Sequence, residues 1–248
     1  MSLTVHQFAC LSDNYGFLVR DDATGKTATI DTPDADAILA ELDRLGWKLD
    51  LILNTHWHPD HAGGNAAIKA ATGATIVGPA EVTRIAPLDR EVGHGDVVDL
   101  GETRFTVIDT GGHTLGHIAY HDAEDAIAFV GDTLFALGCG RLFEGTAEQM
   151  WDSLSRLTAL PDATTVYCAH EYTASNARFA LSVDDDPVLK TRAEQIFAAR
   201  ERGVPTVPTS IGVEKATNPF LRAPLLRPNL EPAMAFAEIR AAKDGFKG

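Results

Sequence analysis

The stretch THWHPDHAGG, residues 55–64, constrains the fold more than any other part of the sequence. It places three histidines and one aspartate within six positions, directly after the apolar run LDLILN, which is typical of a buried strand. Burying imidazole and carboxylate groups without partners costs several kcal/mol. Four ligand-type residues at H-x-H-x-D-H spacing therefore indicate a metal site at the end of this strand, rather than a turn or a solvated surface.

Further ligand-type residues follow other predicted strands. Taken alone, His113 or His170 would be interpreted as a cap, a turn or a solvated residue. Strand ends, however, let a rigid scaffold aim side chains at one point. The seven candidates are His56, His58, Asp60, His61, His113, Asp132 and His170. They are too many for one zinc ion, which takes about four ligands, and they match two ions if one carboxylate bridges.

The types of these side chains indicate which ions they could hold and what they could do. Imidazole and carboxylate without cysteine suit zinc, iron or manganese. Two adjacent cations can hold a water between them and lower its pKa enough to supply hydroxide near neutral pH. The pattern therefore favours a hydrolytic centre with two divalent metal ions.

Composition excludes several classes of function. No stretch approaches the roughly 20 apolar residues that span a bilayer, and the N-terminus lacks the pattern of a signal peptide. Three widely separated cysteines suggest neither a disulfide framework nor a thiolate zinc site. A net charge of -14 argues against nucleic-acid binding, although an anionic small molecule could bind at a local basic patch. We expect a cytoplasmic protein without a membrane partner; the sequence is silent on oligomeric state and compatible with a monomer.

The order of predicted elements indicates an α/β fold with a helical appendage. Strand patterns and helices are mixed up to about Val183, and the remainder is mainly helical. Pro33 and Gly46 bound one amphipathic helix, and Thr146 and Gln149 have the spacing of a capping box. We predict a catalytic domain over residues 1–183 and a substrate-binding appendage over residues 184–248.

The motifs resemble a known superfamily. THWHPDHAGG is similar to the signature of the metallo-β-lactamase superfamily, and GGHT, GDT and AHEYT follow in the order of its later ligands. The resemblance implies a four-layer αβ/βα sandwich with a dinuclear site. THWHPDHAGGN, GDTLFALGCGRLFEGTAEQM, AHEYT, NPFLR and IRAAKDGFK resemble the glyoxalase II (hydroxyacylglutathione hydrolase) family more narrowly, over almost the whole chain. In that family the helical appendage helps to bind glutathione.

The resemblance also implies roles for the ligands. One metal would be held by His56, His58 and His113, and the other by Asp60, His61 and His170. Asp132 would bridge the two, and Asp60 would orient the hydroxide or accept its proton. Asp31 matches a position that supports the metal ligands from behind. An ordinary turn aspartate is the competing interpretation of Asp31.

The implied glutathione site departs from the family pattern at several positions. Arg141 stands where lysine is common, and its guanidinium could still pair with a carboxylate. Phe143 stands where tyrosine is common, which removes one hydroxyl. Tyr172 and Arg222 match, but the segment after Arg222 reads APLLRP and lacks a lysine often found there. Affinity for the thiol carrier is thus the open question.

The activity implied is hydrolysis of S-(2-hydroxyacyl)glutathione, with S-D-lactoylglutathione as the expected substrate and zinc as the expected metal. Two enzymes of the same superfamily compete with this interpretation. A persulfide dioxygenase would use one iron and would not need His170, and a lactonase or β-lactamase would direct the hydroxide at another carbonyl. A noncatalytic metal-binding scaffold is a further alternative, but an abandoned site would be expected to lose some of its ligands.

Overall fold

The computed structural model of the protein describes residues 3–247. This part of the chain divides into two compact units. The first comprises residues 3–109 and 116–131, and the second comprises residues 110–115 and 132–247. The predicted boundary near Val183 does not coincide with this division and stays a prediction.

The first unit contains a six-stranded mixed sheet. Its order is β1 (Leu3–Cys10), β2 (Asn14–Asp21), β3 (Thr27–Ile30), β4 (Leu51–Leu53), β5 (Thr75–Gly78) and β6 (Arg90–Glu91). The strands β1 to β3 are antiparallel, whereas β3 to β6 are parallel. Parallel neighbours need a crossover, and the helices α1 (Ala35–Leu45), α2 (Pro59–Ala62) and α3 (Asn65–Thr72) supply two of them.

Local sequence explains where α1 begins and ends. The Asp34 side chain accepts a hydrogen bond from the Ala37 amide at 3.1 Å, as an N-cap does. Gly46 ends the helix with a φ of 67°, a left-handed conformation that glycine adopts easily. The apolar stripe of α1 packs with α3 against the sheet in one core that includes Ile38, Ile52 and Ile68. The predicted helix is confirmed.

A four-stranded antiparallel meander completes the first unit. Its strands are β7 (Val97–Leu100), β8 (Thr103–Asp109), β9 (Ile118–Asp122) and β10 (Ile127–Gly131). Phe17 on β2 contacts Phe129 on β10, with ring centroids 5.7 Å apart. This contact packs the mixed sheet against the meander, so the first unit buries a sheet-on-sheet core.

The second unit is mainly helical. Its strands are β11 (Leu134–Phe135), β12 (Gly138–Cys139), β13 (Thr165–Cys168) and β14 (Thr209–Ser210), and its helices are α4 (Ala147–Thr158), α5 (Thr173–Val183), α6 (Pro187–Glu201), α7 (Ile211–Thr217), α8 (Ala223–Leu226) and α9 (Pro232–Asp244). Phe220 contacts both Phe179 and Phe236 in its core. The predicted capping box is present, because Thr146 and Gln149 exchange hydrogen bonds at the start of α4. Among the helices of residues 3–247, none could cross a membrane.

Candidate metal centre

The residues His56, His58, Asp60 and His61 form what we call the histidine block. This block lies at the edge of the mixed sheet where β3 and β4 end. These strands are parallel neighbours, so Asp31, directly after β3, meets the residues that follow β4. The Asp31 carboxylate accepts hydrogen bonds from the Thr55 amide at 2.7 Å and from the Thr55 hydroxyl at 2.8 Å. It also accepts from His61 Nδ1 at 2.8 Å. Asp31 therefore orients Thr55 and His61, and its role in supporting metal ligands stays a prediction.

These hydrogen bonds determine which nitrogen of each ring can bind a metal. His61 donates through Nδ1, so its Nε2 carries the lone pair. The Thr55 hydroxyl donates to Asp31, and its oxygen can therefore accept from His56 Nδ1, which lies 3.0 Å away. The lone pair of His56 is then on Nε2, 3.0 Å from His58 Nδ1. Two imidazoles thus direct ring nitrogens at one small volume.

Asp60 and His61 form the other half of the block. They lie within the short helix α2, and their side chains approach to 3.5 Å between Asp60 Oδ2 and His61 Nε2. Asn14, to which the sequence assigned no role, donates to Asp60 Oδ2 at 3.1 Å. His117 is fully buried and stacks on His56 with ring centroids 4.7 Å apart. No local motif signals either contact.

Buried asparagine side chains fix the loop that carries the histidine block through hydrogen bonds. Asn54 donates to the His61 carbonyl at 3.0 Å and to Asn65 at 3.2 Å, and Asn65 donates back to Asn54 at 2.6 Å. Thr32 also donates to Asn65, at 2.7 Å. Side chains held in this way lose little freedom when they bind an ion.

The second unit brings the remaining three candidate ligands together. Asp132 lies between two imidazoles, with Oδ2 3.4 Å from His113 Nε2 and Oδ1 3.4 Å from His170 Nε2. His113 Nδ1 donates to the Arg141 carbonyl at 2.8 Å, which leaves the lone pair on Nε2. His170 stacks on Tyr172 with the rings 3° from parallel. Each carboxylate oxygen therefore faces an imidazole, as a bridging ligand requires.

The donor chemistry of both sets fits divalent metal ions. At least three of the rings direct a nitrogen lone pair, rather than an N–H, toward another electron-pair donor. Such pairs repel unless a proton or a cation lies between them. Buried imidazole with carboxylate, backed by a carboxylate such as Asp31, is typical of zinc sites and of related transition-metal sites.

A cavity of about 450 Å³ adjoins Asp132 and His113 in the second unit. Three of the predicted substrate-binding residues, Arg141, Phe143 and Tyr172, line it. The Phe143 side chain is 62% exposed and lies edge-on to His113, with centroids 5.2 Å apart. An exposed aromatic side chain and two candidate metal ligands, His113 and Asp132, therefore line the same cavity.

Two further cationic residues line the cavity, and the sequence had assigned them no role. Arg240, on α9, is 5% exposed and donates to the Cys139 carbonyl at 3.0 Å. Lys243 lies one turn later. Burial, together with Arg240, Arg141 and Arg178, lowers the pKa of Lys243 to about 8, although Asp244 opposes the shift. The signal was present in IRAAKDG, where two basic residues are three apart and so share a helix face.

The structure gives Arg222 other partners. Its guanidinium donates to Asp184 at 2.8 Å, to Asp186 at 2.9 Å and to the Ala216 carbonyl at 2.9 Å. Its side chain is only 16% exposed, and it is not among the described residues that line the cavity. These contacts favour a structural role, and a role in substrate binding stays a prediction.

Comparisons with known protein families divide the chain near residue 170. The model of the metallo-beta-lactamase superfamily matches residues 17–170. The model of the hydroxyacylglutathione hydrolase C-terminus matches residues 171–246. The first match contains all seven candidate ligands, and the second contains Tyr172, Arg240 and Lys243.

Individual proteins are similar over nearly the full length. The chain is 56% identical to the hydroxyacylglutathione hydrolase of Erythrobacter litoralis, over 98% of this chain and 100% of that protein. It is 57% identical to that of Maricaulis maris, over 98% and 99% of the two chains. Among solved structures, ETHE1 from Myxococcus xanthus superposes with a TM-score of 0.71 at 29% identity, covering 96% of this chain and 90% of that one.

Proposed function

Because the chain belongs to the metallo-beta-lactamase superfamily and, within it, to the hydroxyacylglutathione hydrolases, we propose that its seven candidate ligands form one two-metal centre for thioester hydrolysis. The protein is a hydroxyacylglutathione hydrolase that acts on a glutathione thioester and binds divalent metal. Its fold is the α/β metallo-β-lactamase sandwich with a C-terminal helical region, which confirms the predicted fold class. The assignment of ligands and the identity of the metal are proposals.

The proposed ligand sets follow the family resemblance. His56, His58 and His113 would hold one ion, Asp60, His61 and His170 would hold the other, and Asp132 would bridge them. The placement of Asp132 between two imidazoles supports the bridging role. We propose zinc in both positions, because borderline-soft imidazole with carboxylate suits it. When bound, the ions lower the pKa of a water molecule and polarise the thioester carbonyl.

The residues around the ligands keep the centre in a reactive geometry. Asp31 and Thr55 fix the tautomers of His61 and His56, and the Arg141 carbonyl fixes that of His113. Asn14 holds the carboxylate of Asp60, which orients the attacking water and accepts its proton. These contacts limit reorganisation during the reaction.

The cavity next to Asp132 binds the thiol carrier. Arg141, Arg240 and Lys243 provide positive charge for the carboxylates of glutathione, and Tyr172 and Phe143 provide apolar surface. The continuity of this cavity with His113 and Asp132 is the observation that supports the proposal most directly. A carrier bound in this cavity would have its thioester sulfur close to these two candidate ligands.

The proposed reaction needs no strong general acid. Water adds to the thioester carbonyl, the C–S bond breaks, and the products are a 2-hydroxy acid and glutathione. The thiolate needs no protonation to leave, since an ordinary thiol has a pKa of about 8.5. We propose S-D-lactoylglutathione as the substrate and the cytoplasm, where reduced glutathione is available, as the location.

A panel of thioesters tests this proposal. The acyl group and the thiol are varied separately, thiol release is measured with and without a chelator, and metal content is determined on the same preparation. We expect rapid release from S-D-lactoylglutathione, loss of activity after chelation and about two metal ions per chain. A single iron per chain with oxygen consumption on glutathione persulfide would contradict it, as would hydrolysis confined to lactones.

A further inference from the structure

The segment of residues 132–141 connects the candidate ligands with the cavity beside Asp132, which we call the carrier cavity. It begins at Asp132, forms the hairpin of β11 and β12, and ends at Arg141, whose carbonyl accepts from His113. A Cβ atom on Gly140 would collide with the Asp132 carbonyl oxygen, so the two ends of the segment are in contact. A shift of the hairpin would therefore move both a proposed metal ligand and the cavity wall.

The hairpin turn is not favoured by its own sequence. Phe135 pairs with Gly138, so Ala136 and Leu137 form a two-residue connection. Leu137 has a φ of 56°, where glycine is the usual residue. A branched, fully buried side chain in this conformation is costly, and surrounding structure must impose it.

Side chains from the helical region hold the turn through its backbone. The Leu137 amide donates to Glu214 at 2.9 Å, and the Ala136 carbonyl accepts from Asn176 at 3.1 Å. Asn218 donates to the Phe135 carbonyl at 3.1 Å and to the Gly138 carbonyl at 3.0 Å. The turn is therefore held by Asn176 from α5, by Glu214 from α7, and by Asn218, which directly follows α7.

Glu214 is the centre of these anchors. Its fully buried carboxylate accepts from the Leu137 amide and from Asn218 on Oε2, and from Thr209 and Arg192 on Oε1. In all four contacts the partner is the donor and a carboxylate oxygen of Glu214 is the acceptor. Arg192 compensates the buried negative charge.

We propose that Glu214 is a positioning residue for the hydrolysis, which sets the geometry of residues 132–141 and thereby the relation of Asp132 and His113 to the carrier cavity. The inference rests on the proposed function of that site. Among the described residues, the hydrogen bonds of Glu214 reach neither a candidate ligand nor a residue that lines the cavity. Its influence passes through the backbone of the hairpin.

The substitution Glu214→Gln tests the proposal. It keeps the shape of the side chain but replaces one acceptor oxygen with a donor nitrogen. In either orientation the new amide nitrogen faces a group that can only donate, which is Arg192 on one side and the Leu137 amide on the other. We expect KM for S-D-lactoylglutathione to rise and zinc retention against a competing chelator to fall, each by about tenfold. Combining it with Arg192→Met should restore both values to within about threefold, because the amide oxygen can then serve Leu137 while the nitrogen donates to Thr209.

Asp21→Asn is the matched control. Asp21 is equally buried and accepts four hydrogen bonds, from Thr24 and Thr103, which are far from the hairpin in sequence and make no hydrogen bond with it. We expect a comparable loss in the unfolding midpoint, with KM and zinc retention unchanged. Should Glu214→Gln not fold, Asn218→Ser removes the two carbonyl contacts and should shift both readouts in the same direction.

Wild-type KM and zinc retention in Glu214→Gln, at a loss of stability equal to that of Asp21→Asn, would overturn the positioning role. Failure of the double variant to restore either value would also count against it. The proposed function is tested separately, because a wild-type protein that does not hydrolyse the thioester refutes that function. Zinc retention would still report on the hairpin.

Discussion

Asp132 is the residue on which the proposed centre depends most. Its two carboxylate oxygens each lie 3.4 Å from an imidazole nitrogen. The substitution Asp132→Asn keeps the size of the side chain but removes the charge and one acceptor. We expect kcat to fall more than about a hundredfold, because even indirect partners of metal ligands contribute 10- to 100-fold. Steady-state kinetics and metal analysis on the same sample measure this.

The two readouts distinguish a ligand from a structural residue. Asp132→Asn should bind fewer than two metals per chain while its circular dichroism spectrum stays like that of the wild type. Undiminished turnover in this variant would contradict the bridging assignment.

Lys243 should give substrate binding in the cavity a pH dependence. Its pKa is lowered to about 8 by burial first, and then by Arg240, Arg141 and Arg178. A lysine is cationic below its pKa, so the charge that favours a carboxylate is present at pH 7 and lost as the pH rises through 8. If only the protonated form binds well, KM should rise about tenfold between pH 7 and pH 9, because a group with this pKa is then nine-tenths neutral.

Lys243→Arg provides the matched control, since guanidinium stays charged throughout this range. Its KM should vary less than about threefold between pH 7 and pH 9, after subtraction of uncatalysed thioester hydrolysis. The same rise in KM for both proteins would place the titrating group elsewhere.

At the scale of elements, two arginines of the second unit have different tasks. Arg141 lines the cavity, whereas Arg222 joins the start of α8 to Asp184 and Asp186, between α5 and α6. Arg141→Ala should raise KM about tenfold and leave stability nearly unchanged. Arg222→Ala should instead cost about 3 kcal/mol of unfolding free energy, because it leaves the buried Asp184 carboxylate without its guanidinium.

Urea unfolding and KM measured on both variants separate these effects. The opposite pattern, a raised KM in Arg222→Ala at wild-type stability, would instead support a role of Arg222 in substrate binding. Arg141→Ala with an unchanged KM would remove the guanidinium from the proposed carrier pocket.

Elements whose signals lie within a few residues could be predicted from the sequence. Elements whose conformation is held by residues far away in the sequence could not. The caps of α1 and α4 are encoded within a few residues, at Asp34 and Thr146, and both helices form as expected. The histidine block likewise has a local spacing. The hairpin at Leu137 has no turn sequence of its own, because residues some 40 to 80 positions later hold it. Asn14 reaches Asp60 across 46 positions, which no local pattern reports.

At the scale of the whole molecule, the charge distribution is uneven. The chain carries a net charge of -14, yet three cationic side chains line the cavity beside Asp132. An excess of negative charge elsewhere repels anionic ligands at long range, whereas salt screens this repulsion beyond roughly 10 Å at 0.1 M. Local cations would therefore provide the proposed affinity for a carboxylate-bearing carrier, whereas the sign of the net charge alone predicts the opposite.

Metal binding should stabilise the whole fold. In the proposed centre, ligands from distant parts of the sequence bind the same ions, so the native state should bind metal far better than the unfolded chain. Free metal at a hundredfold excess over Kd contributes about 2.7 kcal/mol, which corresponds to a rise in Tm of roughly 5–10 °C for a chain of this size. Removal of metal with a chelator should lower Tm by that amount, and added zinc should restore both Tm and activity.

Asp132→Asn makes this prediction specific to the proposed centre. If the seven ligands act together, the variant should lose most of the metal-dependent rise in Tm, because one substitution weakens both sites. A surface-bound ion would stabilise the variant and the wild type equally. Equal shifts in the two proteins, measured by calorimetry at matched zinc concentration, would therefore locate the stabilising metal outside the centre, even if the wild-type enzyme still required metal for turnover.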